Sequence, residues 1–388
     1  MLTFELKFII SANPYPFQPM NIKMGVIGTG GFTHFSVSAF RKNSQLAVAG
    51  AFDIRQEALN SFCAKFDCRG YDSEESLLRD PAIQLVYIAS PPFLHHTQSR
   101  NALMAGKHVI CEKPAAMKAA EVEELITLAR ERDLLYVVNL MQRYNPMYHQ
   151  VQELVEGELL GEFLHGYFEN YASDETLDEN HWMWDEKMSG GIFIEHAVHF
   201  FDMLEGWLGP GVCVAAQKVK KKGMSKEIWP EVQAICLYRN GLFNFYHGFH
   251  QANRMDRQEL KLVFANGEIT LYEWVPARMV VKGLITEEKL ASLQAIFPEA
   301  DTEIVERFTG DARQYRNHFQ DHKADLRVIM REGDDSRKLT IYQYLLEEII
   351  RDQIKWLQDR THKRKITEVN ALHSVRMAEN ADKLAIRI

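Results

Sequence analysis

Short, nearly continuous apolar runs alternate with amphipathic stretches over the first third of the chain. The runs fall at 22–28 (IKMGVIG), 46–52 (LAVAGAF), 83–89 (IQLVYIA), 108–111 (HVIC) and 134–138 (LLYVV). Runs without polar alternation are those of strands buried on both faces. Of the intervening helices, 121–132 is the clearest: Val122, Leu125, Ile126 and Ala129 recur at i, i+3, i+4 and i+7, one apolar stripe. Gly106 follows ALMA, where a helix-ending glycine belongs. The alternation predicts an α/β unit, a doubly wound parallel sheet covered by helices. After about Asn145 the pattern changes. Residues 161–171 alternate as a strand does, and Asn240-Gly241 and Asn266-Gly267 each separate two alternating or apolar runs. Asn-Gly suits a type I′ turn, so two hairpins and a largely antiparallel second sheet are expected. Helices are expected over 342–360 and about 367–385, and a mixed helix and loop insertion over 285–340.

Composition changes this picture little. A chain of 388 residues holds two or three domains. With 45 Lys+Arg against 53 Asp+Glu the net charge is −8, so neither nucleic acid nor an anionic membrane is an expected partner. Five cysteines without a CxxC pair argue against a disulfide framework or zinc knuckle and suit a cytoplasmic location. No run reaches the roughly 18 apolar residues of a membrane helix. The first twenty residues make a poor signal peptide, with Glu5 and Lys7 in the apolar part and Pro14, Pro16 and Pro19 beyond it; they are expected to form a non-helical arm.

Gly28-Thr29-Gly30-Gly31-Phe32-Thr33 closes the first strand and opens a helix. Gly28 permits a tight turn, Gly30 a close approach of a pyrophosphate, and the helix start offers free N–H groups. Thr33 stands at the third glycine position, so the dinucleotide fingerprint is partial. Asp53 ends the second strand, 25 residues after Gly28, where a carboxylate accepts from ribose hydroxyls and repels a 2′-phosphate. NAD is therefore expected; Arg55 leaves NADP open.

Cys111-Glu112-Lys113-Pro114 follows the fifth strand at the carboxyl edge of the sheet, and an ammonium there can stabilise a developing alkoxide; a solvated surface lysine is the alternative. Farther on, Ser189 can cap a helix starting near Gly191, which puts Glu195 and His199 at i, i+4 with Asp202 beyond. A carboxylate beside an imidazole can orient it as a general base. Core histidines, or a metal held by Glu195, His196 and His199, are the alternatives, although HExxH spacing is absent.

VIGTGG, VYIASPPFLHHTQSRNALMAGKHVICEKPAA, MQRYNPMY, SGGIFIEHAVHFFDMLEGWLG and KRKITEVNALHSVRMAENADKLA occur in this order between about residues 22 and 385. Together they resemble the glucose–fructose oxidoreductase / inositol dehydrogenase (Gfo/Idh/MocA) superfamily. With the proline-rich arm at 1–21 set aside, the resemblance implies a Rossmann domain at 22–144 and an α/β domain at 145–388. The latter's large, open sheet would join a homodimer or homotetramer. It also implies NAD(P)-dependent redox chemistry on a sugar, polyol or glycoside. Other members work without net redox change on glycosides, and one is a non-enzymatic sensor. By position, Lys113 is the proton-assisting lysine and His199 the acid/base. Ser90, Pro91, His95 and Glu112 contact the cofactor. Glu195 stands where Asp is common and His196 where a small residue often does. For substrate, Trp182 and Trp184 offer faces to a sugar ring or fill the core, while Arg143 and Tyr144 sit at the interdomain cleft or brace it. His247 and His250 fall on opposite faces of a strand, so no joint role is expected.

Overall fold

The computed structural model describes residues 21–174, 176–221, 227–317 and 319–388. All but the last residue of the N-terminal arm therefore lies outside the described residues. Six strands, β1 (Ile22–Ile27), β2 (Leu46–Phe52), β3 (Arg69–Gly70), β4 (Leu85–Ile88), β5 (His108–Cys111) and β6 (Tyr136–Val138), form a parallel sheet in the order β3-β2-β1-β4-β5-β6. Val26, Tyr87, Ile110 and Val137 on them are fully buried, as the unbroken apolar runs require. The strand order reverses between β1 and β4, and the crevice outside the carboxyl ends of strands at such a reversal is where ligands bind.

The second sheet has ten strands. They are β7 (Phe163–Ala172), β8 (Gly211–Val219), β9 (Glu231–Tyr238), β10 (Gly241–Phe249), β11 (Arg257–Phe264), β12 (Gly267–Tyr272), β13 (Arg278–Ile285), β14 (Asp301–Arg307), β17 (Leu326–Gly333) and β18 (Ala385–Arg387), with a separate hairpin of β15 (Gln314–Asn317) and β16 (Gln320–Lys323) between. Its order is β14-β17-β13-β12-β11-β7-β10-β9-β8-β18. Only β7/β10 and β8/β18 pair in parallel among the described strands.

Both Asn-Gly hairpins form, one residue out of the expected phase. Tyr238 pairs with Gly241 and Phe264 with Gly267, so the connecting pairs are Arg239-Asn240 and Ala265-Asn266. The glycines begin the returning strands, where a Cβ would meet backbone: at Gly241 it would lie 2.6 Å from the Leu164 carbonyl oxygen, and at Gly267 it would overlap that of Lys282. They are needed for close approach of a neighbouring strand rather than for a positive φ. The segment 285–340 is also corrected. After the helix Glu287–Ile296 it contributes β14 and β17 to the sheet. In β17 Leu326, Val328 and Met330 point inward and Arg327 and Arg331 outward, while β14 is an edge with almost every position exposed, so charge masked the alternation. The last two long helices span Lys338–Gln358 and Glu368–Leu384; the first returns to pack on the helix Gly31–Phe40, and the second on β8 and the helix Val198–Leu208.

Candidate active site

The glycine turn is built by three different demands. Gly28 has φ +88°, and a Cβ on it would lie 2.7 Å from Ala89 O and Ser90 N, so only glycine fits between β1 and β4. At Gly30 a Cβ would meet only the Arg55 guanidinium at 3.9 Å, and at Gly31 nothing within 4 Å. No side chain caps the helix that begins there. Open space over uncapped N–H groups fits a diphosphate. Asp53 ties the turn down, accepting from the Thr29 N–H at 2.7 Å, the Thr29 hydroxyl at 3.0 Å and the Arg55 N–H at 2.8 Å. Burial pushes its carboxyl up, but the bonds from Thr29 and Arg55 outweigh that and hold it below the usual range. The turn, with Asp53 at its flank, fits a dinucleotide cofactor, which would supply hydride chemistry at the far end of the crevice.

A cavity of about 580 Å³ continues from there between the two sheets. Phe32, Ser90, His95, Glu112 and Lys113 form its parallel-sheet wall. The Glu112 carboxylate accepts from the Tyr87 hydroxyl at 2.5 Å and Asn139 Nδ2 at 2.8 Å; burial nevertheless pushes its carboxyl up. His95 sets Nδ1 and Nε2 each 2.7 Å from a carbonyl oxygen, those of Pro114 and Ser90, and burial lowers its basicity against those two acceptors. Pro91 caps the helix Pro92–Met104 that carries His95.

The facing wall holds Glu195, His196 and His199, with Trp182 beside them. Lys113 Nζ donates to Glu195 Oε1 at 2.5 Å and to the Glu195 carbonyl at 2.8 Å. The expected pairing of Glu195 with His199 is not formed: Nδ1 of His199 is buried without a partner among the described residues. The cause is local. Residues Phe193–Ala197 form a π turn before the α-helix resumes at Val198, and i→i+5 bonding rotates Glu195 off the stripe that i, i+4 spacing assumes. The Gly191 carbonyl accepts the Glu195 N–H at 2.8 Å, so the helix does start near Gly191. Ser189 accepts from the Gly191 N–H ahead of it. Burial, then the charge of Lys113, keeps His199 neutral well below the usual imidazole range.

Three expected substrate residues stand outside this cavity. Arg143 makes a bidentate pair with Asp202, Nε to Oδ2 at 2.8 Å and Nη2 to Oδ1 at 2.9 Å, beneath the helix of His199. Tyr144 donates to Asp352 at 2.6 Å in a buried cluster. Trp184 is buried, edge-on to Phe249. Trp182 and His196 do line the cavity. Unforeseen lining residues are Asn170, Gln258, Trp274 and Lys338. His247 lies behind them, its Nδ1 3.0 Å from that of His196. The period-2 pattern of β7, β10 and β11 could have shown Asn170, His247 and Gln258 as polar residues on buried faces. Among the described residues no group of three or more His, Cys, Asp or Glu side chains is arranged to hold a metal ion, and no helix is long and apolar enough to cross a membrane.

Models of an oxidoreductase family with an NAD-binding Rossmann fold and of the GFO/IDH/MocA C-terminal domain match residues 22–140 and 148–270. The chain therefore belongs to the GFO/IDH/MocA oxidoreductase family. The D-xylose 1-dehydrogenase (NADP(+)) of Hypocrea jecorina is 30% identical over 39% of this chain and 41% of that protein. The trans-1,2-dihydrobenzene-1,2-diol dehydrogenase of Bos taurus is 24% identical over 68% of this chain and 78% of its own. The chain spans about half the length of several curated relatives it matches, 54% and 55% in two of them. The WlbA dehydrogenase from Bordetella pertussis, solved with NADH and UDP-GlcNAcA, superposes with TM-score 0.76 over 95% of this chain and 96% of its own at 16% identity, which shows the shared fold.

Proposed function

We infer that the chain is an NAD(P)-dependent dehydrogenase or reductase acting on the oxygen-bearing carbon of a sugar, polyol or glycoside. The observation that carries this reading is the convergence of Lys113, from the end of β5, and His199, from the helix after the π turn, on one cavity whose wall includes Phe32, Ala89 and Ser90, the neighbours of the glycine turn. Asp53 favours NAD; Arg55, beside Gly30, keeps NADP in play. In reduction the ammonium of Lys113, held by Glu195, stabilises charge on the substrate oxygen and gives it a proton as the alkoxide forms; in oxidation the hydroxyl proton passes back to the Lys113 nitrogen as hydride leaves the carbon. His199 contributes differently. With Nδ1 buried and bare, its proton belongs on Nε2, so the neutral imidazole polarises that same oxygen as a hydrogen-bond donor. Related sugar enzymes support the substrate class: a UDP-N-acetylglucosamine 3-dehydrogenase of Acidithiobacillus ferrooxidans is 32% identical over 33% of this chain. A cytoplasmic homo-oligomer formed through the open sheet face, where Val212, Val214, Leu237 and Leu242 are exposed, belongs to this reading.

The test is turnover of D-glucose, D-xylose, myo-inositol, methyl glucosides and D-glucuronate with NAD⁺ and NADP⁺, followed by reduced-cofactor absorbance and product analysis. Lys113→Met should lower kcat by about 10²–10⁴-fold, with cofactor affinity within about threefold. Absence of turnover across the panel with either cofactor, or full activity in the variant, would overturn it.

A further inference from the structure

The buried face of the large sheet is apolar rung after rung until it passes under the cavity. Leu260, Phe168 and Phe245 stand side by side on β11, β7 and β10. Two residues along, on the same face, the next rung is Gln258, Asn170 and His247, at 8%, 2% and 0% exposure. Buried polar groups ordinarily find partners within the protein. Here the Asn170 amide has one long bond, Nδ2 to the Gly248 carbonyl at 3.4 Å, and that of Gln258 has none to a described residue. Both line the cavity.

The third member acts through a neighbour. His247 Nδ1 lies 3.0 Å from His196 Nδ1, so one proton is shared between two nitrogens. His247 Nε2 is buried with no partner among the described residues. Were the shared proton supplied by His196, His247 would carry its own on Nε2, a sealed N–H with nothing to bond. Orphaned buried N–H groups are rarer than under-satisfied acceptors. The shared proton therefore sits on His247, and His196 carries its own on Nε2, the nitrogen that is not sealed from the cavity. The rings of Phe200 and Phe249 flank His196 and fix its plane.

We propose that His196 is a substrate-positioning donor whose tautomer is set by His247, and that with the amides of Asn170 and Gln258 it selects an uncharged ring bearing adjacent hydroxyl or carbonyl oxygens. Amides and a neutral imidazole both give and take hydrogen bonds, as hydroxyls do, and offer no countercharge to a phosphate or carboxylate, and the two lysines in the cavity wall, Lys113 and Lys338, are already paired with Glu195 and Glu273. The proposal rests on the cavity being the substrate site, whereas the tautomer does not.

Two measurements decide it. In protein labelled with [¹⁵N]histidine and saturated with NADH, long-range ring couplings report which nitrogen is protonated, with signals assigned through His196→Gln and His247→Asn. The proton is expected on Nδ1 of His247 and Nε2 of His196; the reverse arrangement, or an imidazolium at either position, overturns the proposal whatever the activity. On each panel sugar that turns over, His247→Leu should raise KM about tenfold, the worth of one hydrogen bond, with kcat changed by less than about threefold. His247→Asn keeps a donor and should recover most of the KM. An unchanged KM in the leucine variant, or equal losses in both variants confined to kcat, overturns the positioning role. If no panel member turns over, the dehydrogenase reading fails while the labelling result stands alone.

Discussion

On the parallel-sheet wall of the cavity, most polar groups are already bonded to their own protein, Glu112 to Tyr87 and Asn139, His95 to two carbonyls and Ser90 to Gln98, with Asn139 Oδ1 the exception, and Asp53 at the glycine turn is held by Thr29. On the facing wall, among the described residues, His199 Nδ1 and His247 Nε2 have no partners and the amides of Asn170 and Gln258 are nearly bare. Under the proposed function, the difference follows from what each wall would recognise. A dinucleotide is met by backbone at a turn, and internal bonds hold that backbone in place before it arrives. A substrate is distinguished by side chains whose hydrogen bonds are completed only when it binds, and this leaves polar groups unpaired that would otherwise be paired.

The largest expected consequence is acid sensitivity of the facing wall. Burial holds His196 and His199 neutral and lowers His247 to about 3. The unfolded chain takes up these protons near pH 6.5 while the native protein does not, so stability is full above that pH and falls as pH drops below it. Each group contributes about 1.4 kcal/mol per pH unit, about 4 kcal/mol for the three together. Urea midpoints should fall steeply from pH 6.5 to 5; a flat profile would mean the imidazoles are charged or solvated in the native state.

Next in size is the pair beneath the helix. Arg143→Ala should destabilise the protein by about 3–5 kcal/mol, because Asp202 is left buried and unpaired, with little change in KM. A stability loss under about 1 kcal/mol combined with a raised KM would move Arg143 into the substrate wall.

The smallest effect tests the cofactor wall. Gly30 has an ordinary φ of −68° and almost nothing near its Cβ position. Gly30→Val should therefore fold normally, yet weaken cofactor binding, read by tryptophan quenching, by about tenfold or more. Unimpaired binding would place the diphosphate elsewhere.

How much of this was legible in the sequence depended on how far apart the partners lie along the chain. The glycine turn and Asp53 are read within one strand–helix–strand unit, where period and spacing suffice, and both hairpins were recognisable from neighbouring residues. Lys113 meets Glu195 across 82 residues, Arg143 meets Asp202 across 59, and His196 meets His247 across 51; no local pattern encodes such pairings. Arg143 shows the cost: a guanidinium at a cleft reads equally as anion binder or brace, and only its bidentate carboxylate decides. The i, i+4 rule failed at Glu195 because it presumes a regular helix, and the π turn at 193–197 supplies no sequence cue.

One chain of flat side chains spans the crevice. Phe32, in the first turn of the helix after the glycine turn, packs 6.2 Å from Tyr342; Tyr342 meets Trp274 edge-on at 5.0 Å; Trp274 lies 6.2 Å from the ring of His199. The distance between the two ends of the site is thus kept by rings packed tilted or edge-on. Trimming any link, Tyr342 first, would let the ends drift together or apart, and the size of substrate accepted would change before the chemistry did.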